Sequence, residues 1–356
     1  MLNWKLSKHK IIFKFLFYSN IILVLSTLAA YASPYFDAAQ YPYFAVFGLV
    51  YSVLLICNIA MVILWFLVKP KMALLSILVI LLGINNIQHV FGFNFMGQNH
   101  DENAIEIGSF NLQFFKSIAT AQSKDKAILT LSLNNFVKAN SDTEILCFQE
   151  YGKFTNVLLD SLLPHPFVHR VENMTTAIYS KFPIIESGVV DFDSNIANTC
   201  IWVDILINDK PLRVYNFHLE SNRHDGQVPE EIVEDAPEEF NFKILLGIVL
   251  YYNKFTIQRT QQAHLIRAHT SQCKHPIVLC GDMNDSPFSF TYAKMSENLN
   301  DVFLKKGKGL ASTHDNIKTG LRIDYILVDQ ALKVSDFQIY KEDFSDHHFL
   351  KSSIEF

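Results

Sequence analysis

Apolar residues are unevenly spread along this chain. Three long apolar runs come first, and short apolar runs separated by turns and amphipathic stretches follow. Ile11–Ala32 is interrupted mainly by Lys14, Ser19 and Asn20, and Tyr43–Val68 carries no charge. Met72–Met96 is strongly apolar to Ile84 and then meets Asn85, Asn86, Gln88 and His89. A bilayer span needs ~20 apolar residues, so residues 1–98 predict about three transmembrane helices, at 11–32, 43–68 and 72–96. An interfacial or re-entrant segment is the alternative for the third.

Residues 99–356 have a different texture. Ala104–Asn111, Glu144–Gln149, Thr176–Tyr179, Ile184–Phe192, Cys200–Ile207, Leu212–Phe217 and Ile277–Cys280 predict strands. Further strands are expected around Ile323–Val328, Lys333–Tyr340 and His348–Ile354. Lys126–Ala139, Phe154–Leu163, Thr256–Thr270 and the stretch near Phe288–Glu297 predict helices. Ile244–Tyr252 is apolar but too short to span, and either packs on the domain or lies at the membrane surface. Many strands with interspersed helices predict an α+β sandwich, two facing sheets with helices outside.

Composition sharpens this division. Hydrophobic residues make up 50% of the chain, high for a soluble protein. Six of the 30 Lys and Arg and one of the 35 acids, Asp37, precede residue 99. The remainder therefore carries 24 basic and 34 acidic residues, a formal charge of −10. An acidic domain is not the electrostatic footprint of a general nucleic-acid binder. Seven of its acids lie in Asn222–Glu239, which predicts a solvated loop. The lysines precede the first apolar run and separate the second from the third (Lys69, Lys71). The positive-inside rule then puts the N-terminus in the cytoplasm and the globular domain outside it. A signal peptide cleaved after Ala30-Tyr-Ala32 is the alternative for the first run and leaves the later topology unchanged. Among the five cysteines no C-x-x-C pair occurs, so thiolate zinc is not indicated; Cys147 and Cys280 read as core residues.

The candidate chemistry sits at strand ends. Asn111, Glu150, His218, Asp282, Asn284, Asp324 and the Asp346-His347 pair are polar and mostly end or follow apolar runs. Asp282 and Asn284 are one residue apart, so an extended backbone projects both to one side. Each has a plain structural alternative: a turn for Asn111, solvation for Glu150, an Arg partner for Asp324. Together they offer oxygen and imidazole groups suited to a hard cation and a phosphate, favouring Mg2+ or Mn2+ over zinc. No P-loop and no Gly-x-Ser-x-Gly elbow occurs.

Ser109-Phe-Asn-Leu-Gln113, Leu146-Cys-Phe-Gln-Glu150, Thr176-Ala-Ile-Tyr-Ser-Lys-Phe-Pro183, Asn216-Phe-His-Leu219, Gly281-Asp-Met-Asn284, Arg322-Ile-Asp-Tyr-Ile326 and Ser345-Asp-His347 resemble, in order, the signature of the endonuclease/exonuclease/phosphatase superfamily. The resemblance covers about Ala104–Phe356. It implies a four-layered α/β sandwich and Mg2+- (or Mn2+-) dependent phosphoester hydrolysis. It implies that Asn111, Glu150 and Asp346 belong to the metal site. Asp282 would activate or orient water, Asn284 would donate to a phosphate oxygen, and His218 would contact the phosphate or leaving group. His347 would be the catalytic imidazole, oriented by Asp324. Which of Asp282 and His347 takes the proton stays open. Two features depart from the pattern: His348-Phe349 follows His347, and the acidic insertion has no counterpart in the abasic-site enzymes.

The expectation is a membrane-anchored, extracytoplasmic, metal-dependent phosphodiesterase or phosphatase. An extracytoplasmic nuclease is the alternative, and an inactive binding module on a membrane stalk the second. The partners expected are a phosphoester substrate (lipid headgroup, small phosphodiester or nucleic acid) and the bilayer, with no obligate protein partner.

Overall fold

Strand β9 (Ile277–Asp282) is buried along its whole length and lies inside a six-stranded sheet. The order is β10 (Leu299–Asp301), β12 (Asp324–Asp329), β9, β8 (Lys210–His218), β7 (Thr199–Ile207) and β6 (Ile184–Val190). A second six-stranded sheet runs β13 (Lys333–Lys341), β14 (His348–Glu355), β2 (Ile105–Asn111), β3 (Ile145–Gln149), β5 (Ala177–Ser180) and β4 (Phe167–Arg170). Pairs β8/β9 and β2/β3 are parallel, so both sheets are mixed. This computed structural model describes residues 2–94, 104–192, 198–221, 242–315 and 321–356. The acidic insertion expected at 222–239 lies outside the described residues.

Strand alternation explains the layering. On β9, Val278 and Cys280 face the other sheet, where they meet Ile107, Ile145, Cys147 and Ile178. Leu279 points the other way, to Ala263 and Ile266 of the Phe242–Thr270 helix and to Tyr292 and Met295. On the second sheet Phe148 and Tyr179 pack outward on Leu133 and Phe136 of the Ser123–Ala139 helix and on Leu159. Helix, sheet, sheet, helix is the four-layered sandwich expected. Each such apolar side chain stabilises the fold by about 1.5–3 kcal/mol when fully buried. All five cysteines are free thiols, and Cys147 and Cys280 are core residues as expected.

A polar bridge crosses the apolar layer beneath the ends of β3 and β8. Gln149 Nε2 donates to Asn216 Oδ1 at 2.7 Å. Asn216 Nδ2 donates to the Phe148 and Ala177 carbonyls at 2.9 and 2.8 Å. Leaving any of these buried groups unpaired costs about 1–3 kcal/mol, so the bridge holds the two sheets in one register.

The N-terminal region contains two helices long and apolar enough to cross a bilayer, over Ile11–Tyr35 and Tyr51–Val68. The third helix expected over 72–96 is shorter. It is α-helical only over Ala73–Leu82, continues as a tight Ile84–His89 turn and ends in β1 (Phe91–Phe93), which pairs with β11 (Lys308–Leu310). Gly83 sits at the break. A Cβ there would lie 2.1 Å from the Tyr31 ring, so the close approach requires glycine. Polar groups between these helices find one another: Ser76 Oγ donates to Asn20 Oδ1 and Asn58 Nδ2 to Thr27 Oγ1, both at 2.8 Å.

Some other elements differ from expectation. Ile244–Tyr252 is not separate but the first part of one long helix, Phe242–Thr270. Strand β4 was not expected; it is a four-residue edge strand with half-exposed residues. Arg322 does not pair with Asp324. Its guanidinium donates to both carboxylate oxygens of Asp301, at 3.0 and 2.7 Å, in a buried site. Removing one partner strands the other charge. Asp301→Ala is therefore expected to destabilise the catalytic domain by about 3–5 kcal/mol, read as a lower thermal midpoint. An unchanged midpoint would show that the pair does not hold β10 against the β12 entry.

Candidate active site

Parallel β8 and β9 end side by side, with His218 paired in register to Asp282. Antiparallel β12 starts opposite, with Asp324 in register with Asp282. Facing them, β2 and β3 deliver Asn111 and Glu150 from the second sheet. The entry to β14 brings Asp346 and His347. All eight residues singled out by sequence thus lie along one edge of the sandwich.

The Asp282 carboxylate is the hub. Its Oδ2 accepts from Asn111 Nδ2 at 3.1 Å. The same oxygen lies 3.9 Å from His218 Nε2 and 3.8 Å from His347 Nε2. Its Oδ1 accepts from the Asn284 backbone N–H at 2.7 Å. Local backbone makes this possible. Gly281 has φ +151°, and a Cβ there would lie 1.9 Å from the Phe217 carbonyl oxygen, so the strand can turn beside β8 only with glycine. Asn284 and Glu150 both adopt left-handed φ, 51° and 47°. Such strain clusters where surrounding contacts over-determine a site.

The groups divide into two flanks. Asn111 Nδ2 also reaches Glu150 Oε1 at 3.3 Å, and His218 Nε2 lies 3.8 Å from that oxygen. Asp346 lies on the other flank. Its Oδ2 accepts from Gln113 Nε2 at 3.0 Å and lies 3.4 Å from His314 Nε2. Asn284 Nδ2 donates to the Leu219 carbonyl at 3.0 Å, leaving its second amide hydrogen to face the site or solvent. Gln113 and His314 were not foreseen as site residues. Gln113 stands inside a quoted motif as its unexplained last residue. His314 arrives on a loop with no apolar strand leading to it, so no strand-end signal marks it. Its ring meets the His347 ring edge-on at 4.7 Å.

The electrostatics are those of an acid-rich centre. Among the described residues no Lys or Arg forms an ion pair with Glu150, Asp282 or Asp324. His347 Nδ1 bonds both oxygens of Asp324 at 3.1 Å. Burial alone pushes this imidazole pKa down, but Asp324, Asp282 and Asp346 outweigh it and raise it to about 10. The donor set fits a hard divalent cation: several carboxylate oxygens, an amide, and no thiolate. Asp282, Asp324 and His347 form one group of potential ligand atoms within 4.8 Å, and His314, Asp346 and His347 another. Glu150 joins neither tight group, but with its side chain 22% exposed against 1% for Asp282, it is the more accessible. Both ring nitrogens of His218 are buried without a hydrogen-bond partner among the described residues, poised for a bound group. Asn111 accepts the Gln113 N–H on Oδ1 at 3.0 Å, so a cation beside Glu150 would take its oxygen only after the amide turns over.

Beside Glu150 opens a cleft of about 430 Å3. The Phe114 N–H donates to the Glu150 carbonyl at 2.9 Å, and the Phe114 ring stands over Gly152. Asn156, Arg170 and Met174 form the far wall.

Compared with family models, residues 108–347 match the endonuclease/exonuclease/phosphatase family, and residues 13–90 match a domain of unknown function, DUF8431. The first match spans more than half of the chain, which belongs to that family. Solved structures share the fold. A family protein from Bacteroides vulgatus matches at TM-score 0.53 and 18% identity, over 71% of this chain and 98% of its own. D. rerio TDP2 complexed with single strand DNA product matches at 0.50 and 15%, over 71% and 99%. A mannosyl-6-phosphatase from Bacteroides thetaiotaomicron matches at 0.50 and 18%, over 71% and 100%. Compared by sequence with curated proteins, the chain matches none.

The His347 environment makes a prediction. A raised folded pKa gives stability that is complete below the unfolded value of about 6.5 and lost as pH rises through about 10. In the metal-free protein the His347 imidazole is expected to stay protonated at pH 8, followed by its ring NMR resonances. Asp324→Asn removes the main raising partner and should move the titration toward neutrality. A wild-type midpoint near 6.5 would contradict this account.

Proposed function

We propose that this chain is a membrane-anchored, divalent-metal-dependent phosphoester hydrolase whose catalytic domain stands outside the cytoplasm. The observation that carries the reading is the Asp282 hub, one carboxylate oxygen facing Asn111, His218 and His347. Glu150 with Asn111, and Asp346 on the opposite flank, are the residues that would hold Mg2+ or Mn2+. When bound, such an ion supplies Lewis-acid neutralisation of charge growing on phosphoryl oxygens.

The protein groups divide the remaining work. A water between the hub and the phosphate bonds to phosphorus as the ester P–O bond breaks. An imidazole held protonated by Asp324 cannot accept the water proton, so Asp282 takes it. The His347 cation, His218 and the free Asn284 amide hydrogen face the oxygens on which negative charge grows. Asp324 positions His347 and touches no reacting atom. The cleft beside Phe114 takes the part of the substrate beyond the phosphate.

Substrate choice follows surface and location. Structures sharing the fold include a DNA-bound protein and a mannosyl-6-phosphatase, so the fold does not choose among phosphoesters. A domain of formal charge −10 at a membrane favours small phosphoesters or lipid headgroups over duplex DNA. The helix packing supports the outward topology. Lys69 lies over the Phe13 ring at 5.0 Å, at the end of the helices far from the domain. Tyr51, at the other end of the same helix, packs against Phe288 of the domain, ring centroids 3.9 Å apart and tilted by 41°. The lysine end is thus the end remote from the domain, as a positive cytoplasmic face requires.

Asp282→Ala and His347→Ala are each expected to lower hydrolysis by ~10²-fold or more while circular dichroism stays unchanged. The assay is the detergent-solubilised full chain with Mg2+ on phospholipid, soluble phosphodiester, phosphomonoester and plasmid substrates; unchanged turnover in either variant overturns the mechanism. Exclusive plasmid nicking would make the nuclease reading correct instead. Chelation should abolish activity, and Mg2+ or Mn2+ should restore it. A reporter fused after Phe356 is expected to read as extracytoplasmic; a cytoplasmic signal would reverse the topology.

A further inference from the structure

A cavity of about 820 Å3 lies between the membrane helices and the catalytic domain, outside the catalytic centre. Leu28 and Tyr31 wall it from the first helix, and Leu82 and Asn86 from the end of the third apolar segment. Phe288 and Ala293 wall it from the domain. Its lining is mixed. Leu28, Ala30 and Leu82 are apolar, whereas Asn85, Asn86 and His89, which follow the third helix, bring amides and an imidazole to the wall. His89 stands edge-on to Phe288 and Tyr292, at 5.7 and 5.5 Å, and its Nδ1 is buried without a hydrogen-bond partner among the described residues.

Charge and position identify the occupant. Among the described residues no Lys or Arg lines the cavity, and the one acid there, Asp301, is already held by Arg322. An anionic headgroup would find no counter-charge there. The exposed apolar surface of Leu78, Leu81 and Leu82 leads up to the cavity at the level where the helices meet the domain. A molecule with chains on that surface and a hydrogen-bonding head among Asn85, Asn86 and His89 matches both halves; a water-soluble metabolite matches only one.

We propose that this cavity binds the headgroup of a membrane lipid without net negative charge, seating the catalytic domain on the bilayer. The proposal rests on the membrane-anchored reading above. It is tested by native mass spectrometry of the detergent-solubilised full chain, titrated with phosphatidylethanolamine or phosphatidylglycerol. Phosphatidylethanolamine is expected to be retained in preference to phosphatidylglycerol. Ala293→Trp fills the cavity and should weaken retention about tenfold, or 1.4 kcal/mol. Asn86→Leu removes a polar contact without adding bulk at the domain and should weaken it in the same direction. Both variants should keep the wild-type circular dichroism and turnover of a soluble substrate. Equal retention by the wild type and both variants, or preference for phosphatidylglycerol, overturns the proposal. A chain that is soluble without detergent overturns the membrane reading itself, and the proposal with it, before any lipid is added.

Discussion

The buried carboxylate of Asp282 is the constraint on which the rest of the catalytic domain depends. An ionised carboxylate taken out of water is costly unless polar groups surround it. Here they come from β2 (Asn111), the end of β8 (His218), the entry to β14 (His347) and the turn after β9 (the Asn284 N–H). Both sheets must therefore be complete and in register before the charge is satisfied. The Gln149–Asn216 bridge underneath gives the same requirement a second anchor. Packing of Val278 and Cys280 sets the distance between the sheets, and the polar groups set their alignment.

The same constraint shapes the chemistry. Three nitrogen-bearing side chains converge on one oxygen, but none is a lysine or arginine. Asp282 is thus balanced by groups that can reorganise when a phosphate and a cation arrive. The neighbouring carboxylates, Asp324 first, raise the His347 pKa, and the proposed mechanism accordingly gives His347 the charge-stabilising role and Asp282 the proton. The open choice between these two residues is resolved in the proposed mechanism by who surrounds the imidazole rather than by its identity.

Strand-borne parts of the site were legible in the sequence because each is a polar residue at or near the end of an apolar run. Asn111, Glu150, His218 and Asp282 all have that form, and geometry brings them together. His314 has no such feature; it reaches Asp346 and His347 through a loop whose path depends on an isolated bridge to His347. The third apolar run was misjudged for a related reason. Hydropathy registers that Ile84 is apolar, but not that the helix stops at Leu82, with Gly83 as its cap packed against the Tyr31 ring. Strand β4 escaped because a four-residue, half-exposed edge strand lacks both length and alternation. What local pattern conveys is which residues end strands; what it leaves out is which distant surface arrives beside them.

One such arrival joins the two halves of the molecule. After Asn284 the chain runs Asp285-Ser-Pro-Phe288 directly onto the N-terminal helices. Asp285 is buried, with its Oδ2 3.3 Å from Arg259 Nε, and Tyr325 donates to its carbonyl at 3.0 Å. Ser286 Oγ donates to the Gly48 carbonyl at 3.4 Å, and Phe288 lies against Tyr51. A Cβ on Gly48 would lie 2.3 Å from the Phe288 carbonyl oxygen, so the contact is as close as backbones allow. The segment that leaves Asp282 is thus held by the domain on one side and by the N-terminal helices on the other. The two halves of the molecule therefore meet through the segment that directly follows Asn284, with backbone as well as side chains in contact.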